Sequence, residues 1–475
     1  MSPSRRPEAV VVGSGPNGLA AAVELARAGV AVRVIEGADA IGGGTRTEPL
    51  TLPGFLHDVC SAAHPMGASS PFFRALPLAE RGLEWVHPDA PVAHPFDDGT
   101  AAVLARDTAD TERTLDRVDR GAWAGLFDPF VAQWDVLVEE ALRPLRLPRR
   151  PLVMARFGLQ ALRSAAGLAR ARFRGERARA LFMGMAGHVL DPLDRSPTAA
   201  FGLALGAAGH AVGWPFARGG SASIARALVA ELRHHGGVVE TGRWVRDLSE
   251  VEGGPVLLDL TTRGVLSVCG ERLPRRYRRA LERYRYAAGV FKVDWALSEP
   301  IPWTAPEVRA AGTVHLGGGS EEILAGSRAP AEGRLDARPL VILTQPTLFD
   351  RTRAPQGRHV AWAYCHVPLA SGADRTTAIE DQVECFAPGF RDTILARSSR
   401  SALDMEAMNP NLVGGDINGG SQLLSQLFSR PAARVVPYST PLDDVWVCSA
   451  STPPGGGVHG LCGYHAARAV LARLG

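Results

Sequence analysis

Lysine is all but missing from this chain: of its 52 basic residues only Lys292 is not an arginine. Arginine, alanine, glycine and proline are abundant instead, which reads as the mark of a GC-rich, bacterial genome rather than a functional demand for guanidinium groups. Charge of one sign is lacking too. A formal net charge of +3 over 475 residues, with no cluster of basic and aromatic side chains, argues against nucleic acid as a partner. The six cysteines, Cys60, Cys269, Cys365, Cys385, Cys448 and Cys462, include no C-x-x-C pair. Neither a zinc site nor a redox-active disulfide is therefore expected, and reduced thiols fit a cytoplasmic protein. The opening MSPSRRPEAV lacks the apolar run of a secretory leader, and the most membrane-like stretch, 199–215, is broken by His210 and thick with small residues. Secretion and a spanning helix are both unexpected.

What is present is a 46% hydrophobic content over a length that exceeds one ordinary domain, so two or three domains are expected. Residues 10–36, VVVGSGPNGLAAAVELARAGVAVRVIE, read as strand, tight turn, helix and second strand. Gly13, Gly15 and Gly18 form G-x-G-x-x-G directly after three valines, with Ser14, Pro16 and Asn17 filling the turn. Glycine there lets the backbone approach a pyrophosphate, and a helix opening near Pro16 aims its free N–H groups at it. Glu36 closes the second strand, where a carboxylate accepts hydrogen bonds from a ribose 2′-hydroxyl and repels a 2′-phosphate. The pattern predicts dinucleotide binding.

A second glycine cluster, Gly42-Gly43-Gly44, follows in ADAIGGGTRTE. Strand, G-x-G-x-x-G, acid and then GG resembles the start of the flavoprotein superfamily that includes amine oxidases and the phytoene-dehydrogenase-type carotenoid desaturases and ketolases. The resemblance implies that Gly42, Gly43, Gly44 and Thr45 lie along the diphosphate of FAD. The family usually has arginine where this chain has Gly44, which leaves Arg46 as an alternative phosphate contact. The segment 52–61, LPGFLHDVCS, matches the family's short apolar stretch near the flavin. His57, Asp58 and His64 cluster there without further ligands, so no metal is expected and solvated or hydrogen-bonded side chains are.

Residues 83–105 read as a hairpin turning at Asp97-Asp98-Gly99, and 108–208 as mainly helical. Within the latter, 143–179 places arginines between apolar residues such as Leu145, Leu147, Met154 and Phe157. Such a segment lies either on an anionic bilayer or as a solvated helix face, and the arginine bias favours the second. At 215–247 the family's P-x-x-GG, helix and strand recur. The strand is expected over 238–245, and the resemblance gives Val245 a backbone contact to the adenine.

Residues 288–303, AGVFKVDWALSEPIPW, alternate as a strand with Val290, Lys292, Asp294 and Ala296 on one face and Phe291, Val293, Trp295 and Leu297 on the other. Resembling amine oxidases carry a lysine here, over the flavin and bonded through water to N5, which makes Lys292 a catalytic candidate. Short strands near 339–344 and 359–366, with a helix over 374–386, suit an antiparallel sheet. NLVGGDINGG at 411–420 and the RP and TP of 429–441 resemble the phytoene-dehydrogenase-like branch; Asp416 is there either an active-site group or an Asx turn. Finally, 445–471 reads as strand, Gly-rich turn and helix, a second helix N-terminus facing the cofactor. The family places Gly456, Gly457 and Val458 on the isoalloxazine. Amine oxidases have a cage tyrosine where Gly457 stands, so a bulkier hydrophobic substrate is expected. His459 beside it is an acid or base candidate or a helix cap.

The expected fold class is α/β: a discontinuous Rossmann-like FAD-binding domain of glutathione-reductase type (1–82, 211–270, 425–475), interleaved with a mixed α+β substrate domain (83–210, largely helical, and 271–424, an antiparallel sheet). The expected activity is FAD-dependent hydride abstraction from a carbon of a hydrophobic, isoprenoid or polyene substrate. Oxygen or quinone stands as electron acceptor, and peripheral membrane contact and a homodimer are left open. Three alternatives accompany it: an amine or amino-acid oxidase making peroxide, a nonenzymatic FAD-bearing partner protein, and an NAD-linked oxidoreductase.

Overall fold

Small residues decide how the chain begins to fold. The computed structural model describes residues 8–475, so the expectation about a leader, read from MSPSRRPEAV, rests mostly on residues outside them. β1 (Glu8–Val12), α1 (Pro16–Arg27) and β2 (Ala31–Ile35) form the opening unit. Pro16 sits in the first turn of α1, where its missing N–H costs no helical bond. Leu19 and Val23 of that helix are fully buried, each contributing roughly 1.5–3 kcal/mol. The chain next forms the hairpin β3 (Ala90–Pro95) and β4 (Ala101–Leu104). A helical section follows, including α2 (Pro151–Ala161), α3 (Glu176–Ala186) and α4 (Ala199–Ala211).

After it, α5 (Ala222–His234), β5 (Val238–Glu240) and β6 (Val256–Leu258) return to the first sheet. β7 (Gly289–Leu297), β8 (Ala311–Leu316), β9 (Val341–Thr344), β10 (His359–Val367) and β11 (Ile394–Arg400) build a second sheet. β12 (Val445–Val447) and α6 (Leu461–Leu474) complete the chain.

The protein is α/β. Its first sheet has five parallel strands in the order β12-β6-β1-β2-β5, drawn from three well-separated stretches of sequence. Alanines on α1 let α5 and α6 pack closely beside it. At the α1–α6 crossing, a side chain on Gly463 would collide with the Asn17 carbonyl. The second sheet has seven strands in the order β11-β7-β10-β9-β8-β3-β4, antiparallel except where β8 meets β3. β7, the second strand from one edge, is buried on both faces. Phe291, Val293, Trp295 and Leu297 join the apolar core on one side, while Lys292 and Asp294 lie on the other.

Several boundaries differ from expectation, and the strand read over 288–303 ends at Leu297. The strand expected over 238–245 ends at Glu240, because the chain turns at Gly242 in the left-handed region. The helix expected from 374 begins at Thr376.

Candidate functional site

A cavity of about 1230 Å³ runs from the carboxyl ends of the parallel strands to the face of the seven-stranded sheet. Ligand sites usually span about 300–1,000 Å³, so one large cofactor and a substrate fit together. The groove half is walled by the β1–α1 turn, Glu36, residues 43–45, Val245 and residues 456–459.

Gly13 makes the turn out of β1 with φ 103°, and its amide donates to the Ile35 carbonyl at 2.8 Å. Only glycine adopts that angle without strain. α1 then begins after Gly15, which has no side chain to cap it; Asp259 takes the Gly18 amide, while the amides of Gly15 and Asn17 and the helix dipole remain available to an anion. Gly42 donates to the Ser14 carbonyl at 3.1 Å, and a Cβ at Gly43 would stand 3.3 Å from Gly15 Cα, so the two glycine loops pack face to face. Glu36 accepts from the Ser14 amide at 2.8 Å, the Ser14 hydroxyl at 2.6 Å and the Ala38 amide at 2.9 Å, which fixes its carboxylate at the rim. Asn17 Oδ1, buried without a partner, lies in the same wall. Gly18 and Gly42 stand behind that wall; Gly13, Ser14, Gly15, Pro16, Asn17, Gly44 and Thr45 are on it.

Asp259, at the end of β6, is the groove residue the motifs did not reveal. Its Oδ2 accepts from the Gly18 amide at 2.9 Å and would be 2.6 Å from a Cβ at Gly15. Burial pushes its carboxyl up to about 7, with the Gly18 amide opposing and Glu36 adding to the rise. An acid ending the apolar run VLL, beside G-x-G-x-x-G, was the available signal.

The catalytic candidates are placed differently from expectation. Lys292 is 1% exposed and absent from the cavity wall: Asp294, two residues on along the same face, holds its ammonium, and the Trp362 ring covers it at 4.6 Å. Burial lowers the lysine's pKa and raises that of Asp294. The pair belongs to a buried ionic layer. His57 Nδ1 lies 3.5 Å from Asp294, while Asp58 pairs with Arg353 at 2.8 Å and accepts from the Ser221 amide at 2.8 Å. His57 and Asp58 are thus hydrogen-bonded and buried rather than solvated, and burial together with Lys292 takes His57 down to about 3. His64 bonds Ser221 Oγ at 3.0 Å. No group of three His, Cys, Asp or Glu side chains among the described residues could hold a metal ion.

Asp416 stands off the cavity wall. It accepts from the amides of Ala287, Asn418 and Gly420 at 2.8, 2.7 and 3.1 Å, so it takes the Asx-turn role. His459 is on the wall, but its Nδ1 accepts from the Leu461 amide at 3.0 Å, capping α6, and burial lowers it to about 4. Of its two expected roles, the geometry shows the helix cap. Gly456, Gly457 and Val458 line the groove opposite Gly15, and Val245 lines it from a loop.

Beyond the groove the cavity becomes apolar, bounded by Met66, Phe201, Leu205, Trp214, Ile342 and Tyr364. This chamber lies over the β9–β10 surface of the second sheet. His188 stands in its wall.

A family model described as flavin containing amine oxidoreductase matches residues 17–269. Pyridine nucleotide-disulfide oxidoreductase domain-containing protein 2 of Rattus norvegicus is 26% identical over 553 residues, covering 98% of this chain and 94% of that protein. One of the limonene dehydrogenase polypeptides of Castellaniella defragrans is 31% identical over 118 residues, 25% of this chain and 21% of its own. Among solved structures, cyclohexylamine oxidase from Brevibacterium oxydans superposes with a TM-score of 0.61 at 15% identity, covering 99% of each chain.

Proposed function

This chain belongs to the flavin containing amine oxidoreductase family, and from that premise we propose that it oxidises or desaturates a hydrophobic, isoprenoid-like substrate by removing hydride from carbon. Its cofactor is FAD, which when bound supplies a two-electron acceptor at the flavin N5. The residues present fit that group: uncapped amides at Gly15, Glu36 fixed at the ribose end, and the bare backbone of residues 456–458 facing them.

The observation that carries the substrate reading is the apolar chamber opening directly from the groove. Met66, Phe201, Leu205 and Ile342 exclude water and orient an apolar donor by shape. Gly457 contributes no aromatic wall for a cationic amine. The partial likeness to a polypeptide named for limonene dehydrogenase supports an isoprenoid donor as well. Desaturation also releases a proton, which passes to water in the polar groove, outside the apolar chamber.

Access from a lipid surface fits the same reading. Leu145, Leu147, Leu152 and Leu159 are 78, 92, 85 and 74% exposed in and before α2, interspersed with arginines, and neighbouring Arg146, Pro148 and Phe157 line the cavity. No helix among the described residues is long and apolar enough to cross a membrane.

The test is anaerobic mixing of flavin-loaded protein with isoprenoid donors and, separately, a panel of primary amines, following loss of flavin absorbance. Oxygen and a quinone are then added as electron acceptors. Bleaching by isoprenoids alone is expected. Bleaching by amines alone, with peroxide formed in air, would overturn the proposal.

A further inference from the structure

The chamber is mainly apolar, with a small number of polar side chains in its wall. His188 lies in its wall, and its Nε2 is 2.9 Å from Nε2 of His315, a fully buried residue of β8. Two neutral imidazoles in that contact share one proton. Their tautomers are fixed by what surrounds the second nitrogen of each ring. His315 Nδ1 is buried against Gly184 with no partner. A buried N–H without an acceptor is costlier and rarer than a bare lone pair. His315 therefore carries its proton on Nε2 and donates it, His188 Nε2 accepts, and His188 must carry its own proton on Nδ1. That nitrogen has no protein partner and is not among the sealed polar atoms, so it presents an N–H to the cavity.

The surroundings agree. The His188 carbonyl accepts from Asn418 Nδ2 at 3.2 Å, and a Cβ at Gly456 would touch the Asn418 carbonyl at 2.6 Å, so the donor is tied to the flavin-facing loop. Two residues from His315 on the same face of β8, Thr313 pairs across the sheet with Thr344, and Thr344 with Trp362. All three line the cavity, and Thr313 Oγ1, Thr344 Oγ1 and Trp362 Nε1 are each without a partner. Indole N–H can only donate. Burial keeps His188 near 3 and His315 well below its ordinary value, so both rings are neutral.

We propose that the substrate is an apolar molecule bearing a hydrogen-bond-accepting oxygen, such as a carbonyl, and that His188, held in its Nδ1–H tautomer by His315, selects for it. His188 is a specificity-determining residue, and a pure hydrocarbon leaves its donor unpaired. This deepens the substrate reading above and rests on the chamber being where that substrate binds.

The experiment titrates flavin-loaded protein, by calorimetry, with 2-dodecanone and with 2-methyl-1-dodecene, which have the same shape but exchange C=O for C=CH₂. The ketone should bind about tenfold more tightly. His188→Phe should erase the preference, and His188→Asn, whose amide nitrogen takes the place of Nδ1, should keep it. Equal binding to the native protein, no binding of either probe, or an undiminished preference in His188→Phe each overturn the proposal. The native comparison decides even where the phenylalanine variant fails to fold. Flavin content read on the same samples separates this from the cofactor reading: colourless protein sinks the latter, whereas the ratio of affinities decides the former.

Discussion

The carboxylate of Asp259 accepts a hydrogen bond from the Gly18 amide at 2.9 Å, across 241 residues of sequence. It thereby joins the end of β6 to the first turn of the cofactor helix. With burial raising it from an ordinary 3.8 to about 7, the folded protein holds a proton there that the unfolded chain has already lost. The folded state binds more protons between about pH 4 and pH 7, so stability falls as pH rises through that window and levels off above it. Asp259→Asn keeps an acceptor for Gly18 and removes the titration. The variant should gain roughly 2–4 kcal/mol relative to the native protein on going from pH 4 to pH 8, read from urea unfolding at the two values. Parallel pH dependence in both proteins would show that Asp259 is not the group responsible.

Gly15→Val should cost the protein its flavin. The new Cβ would stand 2.6 Å from Asp259 Oδ2, displacing the carboxylate that holds Gly18 and crowding the amides that meet the diphosphate. Purified variant that remains as yellow as the native protein contradicts this.

Lys292→Met should act first on stability. It leaves Asp294 buried without its cation, a change that costs about 3–5 kcal/mol when a buried pair is broken from one side. Lys292→Met with Asp294→Leu should recover most of the loss, because removing both charges removes the desolvation cost. Denaturant midpoints of the single and double variants give the answer, and a double variant no better than the single one refutes the pairing argument.

The exposed leucines near α2 should bind anionic bilayers. Native protein is expected to sediment with vesicles containing phosphatidylglycerol, and Leu147→Asp with Leu152→Asp should reduce that at least severalfold. Recovery of native protein in the supernatant at low salt removes the lipid-surface proposal.

Much of the groove was legible in the sequence, since its pieces are short and local: Gly13, Gly15, Gly18 and Glu36 are marked by their spacing in one strand-turn-helix-strand unit, and residues 456–458 by the family resemblance of their Gly-rich turn. Residues that matter through tertiary neighbours were not. Asp259 reads as one more strand-end acid until β6 is known to lie beside β1. His188 gains its direction only from His315, 127 residues away. Lys292 was correctly placed on one face of its strand, but that face looks onto Asp294 and Trp362 instead of the cavity. The clue was present in the K-x-D spacing, which puts both charges on one side of a period-two element. Asp416 and His459 stand in glycine-rich turns, where a polar side chain serves its own backbone as readily as a ligand.

The helix crossing at Gly463 and Asn17 has a consequence for folding. The β1–α1 wall of the groove and the facing wall, residues 456–459, are separated by most of the described sequence. A chain therefore cannot enclose its cofactor before residues 456–459 have been made and have reached α1, so flavin capture is a late event in folding and not an early one.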